Sequence, residues 1–397
     1  MFRRARITVL ARLSFEGRDM WRTIERGLKI RTLQWLGRHQ VMPVLTPEEI
    51  DWTGVNRILV IRQHDQFGDF LLTTPALRAL RLRFPQARIT LVVRDYLEPV
   101  ARNNPDIDHL LVFHESAWRW TPHAILQFKE ELATPFDLAV VFNTVSHSLS
   151  SDLIAAFSGA RVRLGPETPT FDHCTVNPFY TLLAPVDPAQ KHQVDRNLDV
   201  VRYIGAETDS HQYRFRLTDA EKVSGRLTLA SLLPSSARRV IGLHFGTGDI
   251  RKRYPIAQLA HVCDQLGHDS ATALLAIPAP GEDALLDALT KLTTVPLIQM
   301  PTLPLRIVAS VLDQLNLLIC NDTGVLHLAA AVNTPTVSFH AISDPAVWKP
   351  IGPRFIGLYA RNGSIGTIPV DEVITAVQDA LAMSESRSVG ELEIREI

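Results

Sequence analysis

Cysteine is scarce in this chain and long apolar runs are absent. The three cysteines (Cys174, Cys263, Cys320) are odd in number, far apart and set in or beside apolar runs. That argues against a disulfide framework or a metal cluster and for reduced, structural thiols in a cytoplasmic protein. Apolar stretches are typically four to eight residues long, far short of the ~20 that a membrane-spanning helix needs. The first residues are basic, but no apolar stretch with a small-residue cleavage site follows, so no secretory signal is read there. Also missing are Gly-x-Gly-x-x-Gly, a Walker loop, His-Glu-x-x-His and Gly-x-Ser-x-Gly, and with them the usual fingerprints of dinucleotide enzymes, P-loop NTPases, zinc proteases and serine hydrolases. A net charge of −1 gives no reason to expect nucleic acid as a partner.

That charge is unevenly spread. Residues 1–40 hold ten Lys/Arg against three acids, a local +7 that leaves −8 for the rest. Ile7, Leu10, Leu13, Trp21, Ile24, Leu28, Trp35 and Leu36 recur there at roughly helical spacing. A basic amphipathic helix with tryptophans reads either as an anchor on the inner membrane surface or as a helix packed on its own domain with a solvated basic face. Both readings stay open.

From Ile58 onward short apolar runs alternate with helix-like stretches: 58–61, 89–93, 110–113 and 138–142 read as strands, with a helix over 70–83. A second series follows at 240–243, 273–277, 297–300, 317–320 and 336–339, separated by helices at about 256–267, 282–292, 304–313 and 324–332. Near-continuous apolar strands with helices between them indicate parallel sheets covered on both faces. At 397 residues two such domains are expected. The reading is a basic arm (1–50), a first Rossmann-like domain (51–215), a second (216–383) and a mobile polar tail (384–397). Residues 164–192 and the stretch up to Arg239 read as irregular, apart from a helix over 193–204 ended by Gly205.

Ligands of such sheets lie beyond the carboxyl ends of the strands, so the loops after each run carry the argument. The first is Arg62-Gln-His-Asp-Gln-Phe-Gly-Asp69. Asp69, at the mouth of a helix, is either an N-cap or a general base. The second, His244-Phe-Gly-Thr-Gly-Asp-Ile-Arg-Lys-Arg-Tyr-Pro255, combines two glycines, Thr247 and three basic residues into an expected anion cradle. The third, Asn321-Asp-Thr-Gly324, opens a helix whose free amides and dipole favour phosphate, with His327 one turn on. In the fourth, Pro278-Ala-Pro-Gly-Glu-Asp283, Glu282 suits ribose hydroxyls or simply a helix first turn. Asp106-Ile-Asp108 precedes a strand and is not read as a metal site.

These loops, in this order, resemble glycosyltransferase family 9, the ADP-heptose:lipopolysaccharide heptosyltransferases and their relatives. The match runs from about Ile58 to Leu358 and includes Ile-Leu-Val-Ile-Arg62, Gly68-Asp69, Leu-Thr-Thr-Pro-Ala-Leu77, Phe84-Pro85, Asn104-Pro-Asp-Ile-Asp108, His192-x-x-x-Arg196, Lys252-Arg-Tyr-Pro255 and Asn321-Asp-Thr-Gly324-x-x-His327. The resemblance implies a GT-B fold, with two facing domains and the active site in the cleft between them. It implies metal-independent, inverting sugar transfer, with no cofactor and a nucleotide-diphosphate sugar such as ADP-heptose as donor. Asp69 would be the base, and Lys252 would stabilise the leaving diphosphate. Thr247, Gly248, Lys252, Glu282, Asp322, Thr323, Gly324 and His327 would bind the donor. Gln63, His64, Asp65, Arg196, Trp118 and Trp120 are assigned to the acceptor, a lipopolysaccharide-core or other cell-surface glycan. The chain departs from the family's pattern at Gln63-His-Asp-Gln66, where small residues are usual, at Tyr254 in place of tryptophan, and at Gly248 in place of a hydroxyl residue. The altered loop 63–66 motivates the alternative, a nucleotide-sugar-binding scaffold without catalysis.

Overall fold

The computed structural model describes residue 31 and residues 43–64, 66–116, 119–167 and 179–393, with side chains as far as 383. Residues 1–42 apart from Arg31, and Asp65, Cys174 and Trp118, lie outside the described residues.

The first series forms β1 (Arg57–Ile61), α1 (Phe67–Leu71), α2 (Thr74–Arg83), β2 (Arg88–Arg94), α3 (Glu98–Ala101), β3 (His109–Phe113), α4 (Pro122–Ala133), β4 (Leu138–Val141), α5 (Leu149–Phe157), β5 (Val162–Pro166), β6 (Leu182–Ala184) and α6 (Gln193–Arg202). The second forms α7 (Asp219–Leu232), β7 (Arg239–His244), α8 (Ile256–Gly267), β8 (Thr272–Ala276), α9 (Asp283–Leu292), β9 (Leu297–Gln299), α10 (Leu305–Leu312), β10 (Leu317–Asn321), α11 (Gly324–Ala331), β11 (Thr336–His340), α12 (Pro345–Trp348), β12 (Phe355–Tyr359) and α13 (Val370–Glu393). Each sheet has six parallel strands, ordered β3-β2-β1-β4-β5-β6 and β9-β8-β7-β10-β11-β12. Both sheets reverse strand order between their first and fourth strands. The crevices therefore open beyond β1/β4 and β7/β10.

Burial on both faces explains the unbroken apolar strands. Ile58, Leu59, Val60 and Ile61 are all essentially inaccessible to solvent, and each such side chain contributes about 1.5–3 kcal/mol on leaving water. One apolar cluster runs from beneath the first sheet, through Leu97 at the N-cap of α3 and Val100 within it, to Ala309 and Leu312 of α10 and Leu318 of the second sheet. The two domains thus pack on each other through the same material that fills their cores.

Three local features differ from expectation for clear reasons. The helix expected over 70–83 is broken at Leu72–Thr73. Pro75 cannot donate to the Leu71 carbonyl, and the Thr74 hydroxyl takes that carbonyl instead at 2.7 Å. Strand β5 runs into the stretch read as irregular, and β6 lies inside it. Gly165 breaks the strand signal in β5, and it stands there because the Tyr180 ring covers its α-carbon. The stretch before Arg239 contains α7, announced by a capping box in which Thr218 receives Glu221 N–H (3.2 Å) and Glu221 receives Thr218 N–H (2.8 Å). Gly205, with φ +74°, ends α6 as expected: its N–H reaches Arg202 O while Ala206 N–H reaches Val201 O. At the other end of the chain, α13 runs to Glu393, past the point where a mobile tail was expected to begin.

Candidate functional site

Asn321 closes β10 and organises the loops around it. Its amide donates to Phe245 O and accepts from Tyr254 N–H, both at 2.9 Å. Tyr254 stacks on Phe339 with ring centroids 4.0 Å apart, and its hydroxyl reaches Ile368 O. The loop after β7 is thereby pinned at both ends. Between the pins, a 3-10 turn at Ile250–Lys252 delivers Lys252 Nζ to Asp322 Oδ2 at 2.7 Å. Ser343 Oγ donates to the same oxygen. Burial alone would raise the Asp322 carboxyl, but His340, Lys252 and Ser343 outweigh it and hold the group below the usual carboxylate range.

The basic triplet does not act as a block. Arg251 turns into solvent and pairs with Asp249 at 2.6 Å, leaving Lys252 as the residue of the three that meets Asp322. Thr247 Oγ1 accepts Asp249 N–H at 3.3 Å, and the α-carbon of Gly248 faces open space. The glycine that packing demands is Gly246, whose missing side chain would coincide with the Glu282 carboxylate. Glu282 Oε2 accepts Ala279 N–H at 2.8 Å and so closes its own loop over Gly246. Thr323, extended at the N-cap of α11, makes no side-chain cap, and its buried hydroxyl has no partner. The first two amides of α11, Gly324 and Val325, likewise have no protein acceptor among the described residues, whereas Leu326 N–H reaches Thr323 O at 3.1 Å.

The first domain meets this surface head-on. A side chain at Gly68 would stand 2.9 Å from His327 Cδ2 and 3.3 Å from the Gly324 α-carbon, and one at Gly324 would strike the Phe67 ring. The starts of α1 and α11 therefore touch across the cleft with almost no side chain between them. Asp69 is next in sequence to Gly68, half-buried, and its Oδ2 accepts Gln66 N–H at 3.0 Å. His327 is buried, its Nδ1 lying 3.1 Å from the Tyr213 hydroxyl. Burial pushes its pKa down to about 4, so the imidazole is neutral at neutral pH. Beside this contact a cavity of about 660 Å³ runs between the domains, walled by Phe67, Tyr96, His244, Ile277, Pro280 and Met300 among others.

The residues assigned to the acceptor fare differently. Gln63 is buried, and its amide donates to the hydroxyls of Ser148 (2.9 Å), Ser150 (2.6 Å) and Ser151 (3.1 Å). It ties the end of β1 to the start of α5 and does not reach the cleft. Trp120 packs edge-on against Phe113 and Phe128, with its indole N–H on His114 O at 2.7 Å. His64 is half-buried at the strand end. Arg196 lines a cavity of about 250 Å³ with Thr144, Pro166 and Ala184, at the carboxyl ends of β4, β5 and β6. The two carboxylates of Asp106-Ile-Asp108 are bound by arginines, Asp106 by Arg78 and Arg214 and Asp108 by Arg81.

Several contributors escaped the sequence reading. His340 and Ser343 follow an apolar run, and the strand-end rule applied to that loop would have found them. Tyr213 lies in the connection between domains, where no local pattern marks it. Asp152 is fully buried and holds His147 Nε2 (2.6 Å), Asn143 Nδ2 (3.1 Å) and the Tyr180 hydroxyl, a network made by side chains far apart in sequence.

Comparison with known proteins places these features in context. A model of glycosyltransferase family 9 (heptosyltransferase) matches residues 125–366. A putative glycosyltransferase of Haemophilus influenzae is 27% identical over 310 residues, covering 75% of this chain and 86% of the relative. Lipopolysaccharide heptosyltransferase 3 of Escherichia coli is 24% identical over 358 residues, covering 80% and 97%. Among solved structures, a family 9 glycosyl transferase from Veillonella parvula superposes with a TM-score of 0.72 at 22% identity, covering 84% of this chain and 99% of that one. The E. coli heptosyltransferase WaaC with ADP gives 0.63 at 18% identity, covering 82% and 99%. At such identities the superpositions establish the two-domain GT-B fold.

Proposed function

The chain belongs to glycosyltransferase family 9 and is a glycosyltransferase, and from that premise we propose that it moves a heptose or closely related sugar from an ADP-linked donor to a lipopolysaccharide-core or similar surface glycan. The observation that carries the reading is the meeting of α1 and α11 across the cleft. It sets the turn holding Asp69 beside the helix start and the Lys252–Asp322 pair.

In this reading the apolar cavity takes the nucleoside base, and Glu282, over Gly246, takes the ribose. The diphosphate lies on Lys252, the Thr247 hydroxyl and the free amides of α11, where Thr323 also offers its unpartnered hydroxyl. Asp322 and His327 border the sugar. Asp69 removes the proton from the acceptor hydroxyl, whose oxygen attacks the anomeric carbon from the side opposite the diphosphate. The carbon–oxygen bond to phosphate breaks, and the configuration inverts. Negative charge grows on the departing diphosphate, and Lys252 with the helix amides stabilises it in place of a metal. His64, Asp65 and Arg196 remain assigned to the acceptor, and Trp118 with them.

The WaaC structure with ADP supports an adenine nucleotide, and the likeness to the E. coli lipopolysaccharide heptosyltransferase 3 supports the acceptor class. The inward turn of Gln63 accounts for one departure in loop 63–66 without touching Asp69, so the non-catalytic alternative loses part of its motive. Among the described residues no helix is long and apolar enough to cross a membrane. We place the enzyme in the cytoplasm, with residues 1–40 as its contact to the inner leaflet.

The test is a thermal-shift panel of ADP, UDP and GDP sugars with magnesium or EDTA, followed by transfer assays on truncated lipopolysaccharide. An EDTA-insensitive rise in midpoint with ADP-heptose, and product of inverted configuration, are expected. A shift with UDP or GDP sugars alone would discard the adenine donor.

A further inference from the structure

The phosphate hook is occupied before any donor arrives. Lys252 Nζ is bound to Asp322, and Asp322 is 8% exposed on its side chain. If the diphosphate is to claim Lys252, as the reading above requires, a nearly buried carboxylate loses its cation while more negative charge enters beside it.

One group stands ready to replace that cation. His340 ends β11 and is 1% exposed. Its Nε2 is 2.9 Å from Ser338 Oγ, and the Ser338 hydroxyl proton is directed to Ile356 O at 3.3 Å. With that proton on Ile356 O, the serine oxygen accepts from Nε2–H, and Nδ1 carries the lone pair. Nδ1 is buried and has no partner. The charged and titratable groups around the ring are Asp322 and Lys252 from neighbouring loops, Lys349 and Asp344 from the segment after β11, and His327 from α11. With Lys252 in place, burial and the two lysines keep His340 neutral. His327 is less suited to the task because its Nδ1 already engages Tyr213.

We propose that donor binding is coupled to proton uptake by His340, which takes over the neutralisation of Asp322 when the diphosphate draws Lys252 away. The Lys252 ammonium exchanges a carboxylate oxygen for a phosphate oxygen, and a solvent proton is transferred to His340 Nδ1. In the unliganded enzyme burial sets the His340 pKa at about 4. Removing the lysine and adding diphosphate charge both raise it. Protons bound to the complex and not to the free enzyme make affinity fall as pH rises, by at most tenfold per pH unit for one proton. His340 is thus a positioning residue, acting on the donor through Asp322.

Calorimetric titration with ADP-heptose tests this, since its diphosphate is a diester with no group of its own titrating near neutrality. Run at pH 6 to 8 in buffers of different ionisation enthalpy, it should report uptake rising toward one proton per ligand as pH falls. H340Q, which can still donate to Ser338, should bind with no uptake and match the wild type at pH 8 while lagging at pH 6. H340N serves if H340Q does not fold. Tight wild-type binding with no uptake overturns the inference and leaves the donor assignment standing. Full uptake in the His340 variants moves the proton elsewhere and overturns the role of His340. Failure of ADP-heptose to bind at all overturns the donor assignment and this coupling with it.

Discussion

The two walls of the cleft hold their polar groups in opposite ways. Beyond the second sheet, side chains tie one loop to the next and still present charge to the cleft: Asn321 spans Phe245 and Tyr254, Ser343 and Lys252 share Asp322, and Glu282 lies on Gly246. Beyond the first sheet, comparable side chains are consumed inward. Arg62 serves Phe142 O, Gln63 serves three serines, and Asp152 gathers His147, Asn143 and Tyr180. The wall proposed for the donor is therefore ordered around its charged groups by its own hydrogen bonds. In the proposed reading the acceptor meets the first wall, where few side chains are left for recognition, Asp69, His64 and Arg196 being the ones assigned to it among the described residues. A shared donor with varied acceptors would produce this division.

Substitutions on each wall should break or sharpen that contrast. The largest effect is expected at Asp69. D69N should lower kcat by about 10²–10⁴ while donor affinity, read by calorimetry, stays near wild type. An unchanged kcat would remove Asp69 from the chemistry. K252M should cost about 10²–10³ in kcat and weaken the donor as well. A change confined to acceptor KM would put Lys252 on the wrong wall.

Arg306 joins the walls instead of belonging to either. Its guanidinium donates to Pro99 O (2.9 Å) and Arg102 O (3.2 Å) of the first domain, to Arg216 O (2.6 Å) of the connection, and to Glu221 Oε2 (2.9 Å) at the start of α7. R306M should destabilise the protein by about 3 kcal/mol in chemical denaturation, since breaking a largely buried pair strands its partners. The Arg306 hydrogen bond, opposed by partial burial, holds the Glu221 carboxyl at about 2. A depressed carboxyl stabilises the fold above its unfolded value, and this contribution is lost as pH falls toward 2. R306M should lose that acid-limb slope, and retention of the full slope would mean another partner sets Glu221.

Smaller effects should follow from G246A and W120F. A methyl at Gly246 has to displace Glu282, raising donor KM by about tenfold, or ~1.4 kcal/mol. The acceptor KM should not move. W120F should leave the acceptor KM unaltered and shift stability by about 1 kcal/mol or less through the lost bond to His114. A selective rise in acceptor KM would restore Trp120 to recognition.

Much of this was legible in the chain itself, for physical reasons that also mark the limits. Strands buried on both faces advertise themselves as apolar runs, so the strands from β1 to β4 and from β7 to β11 could be read to within a residue or two. β6 has only three residues and β5 mixes Arg163, Gly165 and Pro166 into its run, so neither carries that signal, and β12 is an edge strand whose run is only partly buried. The strand-end rule pointed to the loops in which Lys252, Asp322 and Glu282 gather, because the geometry of parallel sheets dictates where loops meet. It could not tell an exposed side chain from an inward one. Gln63 and Trp120 were therefore assigned to a ligand when serines and aromatics hold them. Whether Arg251 or Lys252 entered the cleft depended on Asp249, a competition between neighbours that residue type alone does not decide.

The repeated strand order, with its reversal at β1/β4 and again at β7/β10, bears on how such a molecule can change over generations. Each half completes its own sheet, and a single stretch between Ala206 and Asp219 connects them. One crossover there could pair an existing donor half with a new acceptor half. The recombinant would need to inherit the seam: small residues where Gly68 faces Gly324, a partner for His327 such as Tyr213, carbonyls placed to receive Arg306, and the apolar side chains of α3 and α10 that join the two cores. Diversity in surface glycans would then require few inventions, because the half that handles the activated sugar could be retained while its companion is exchanged.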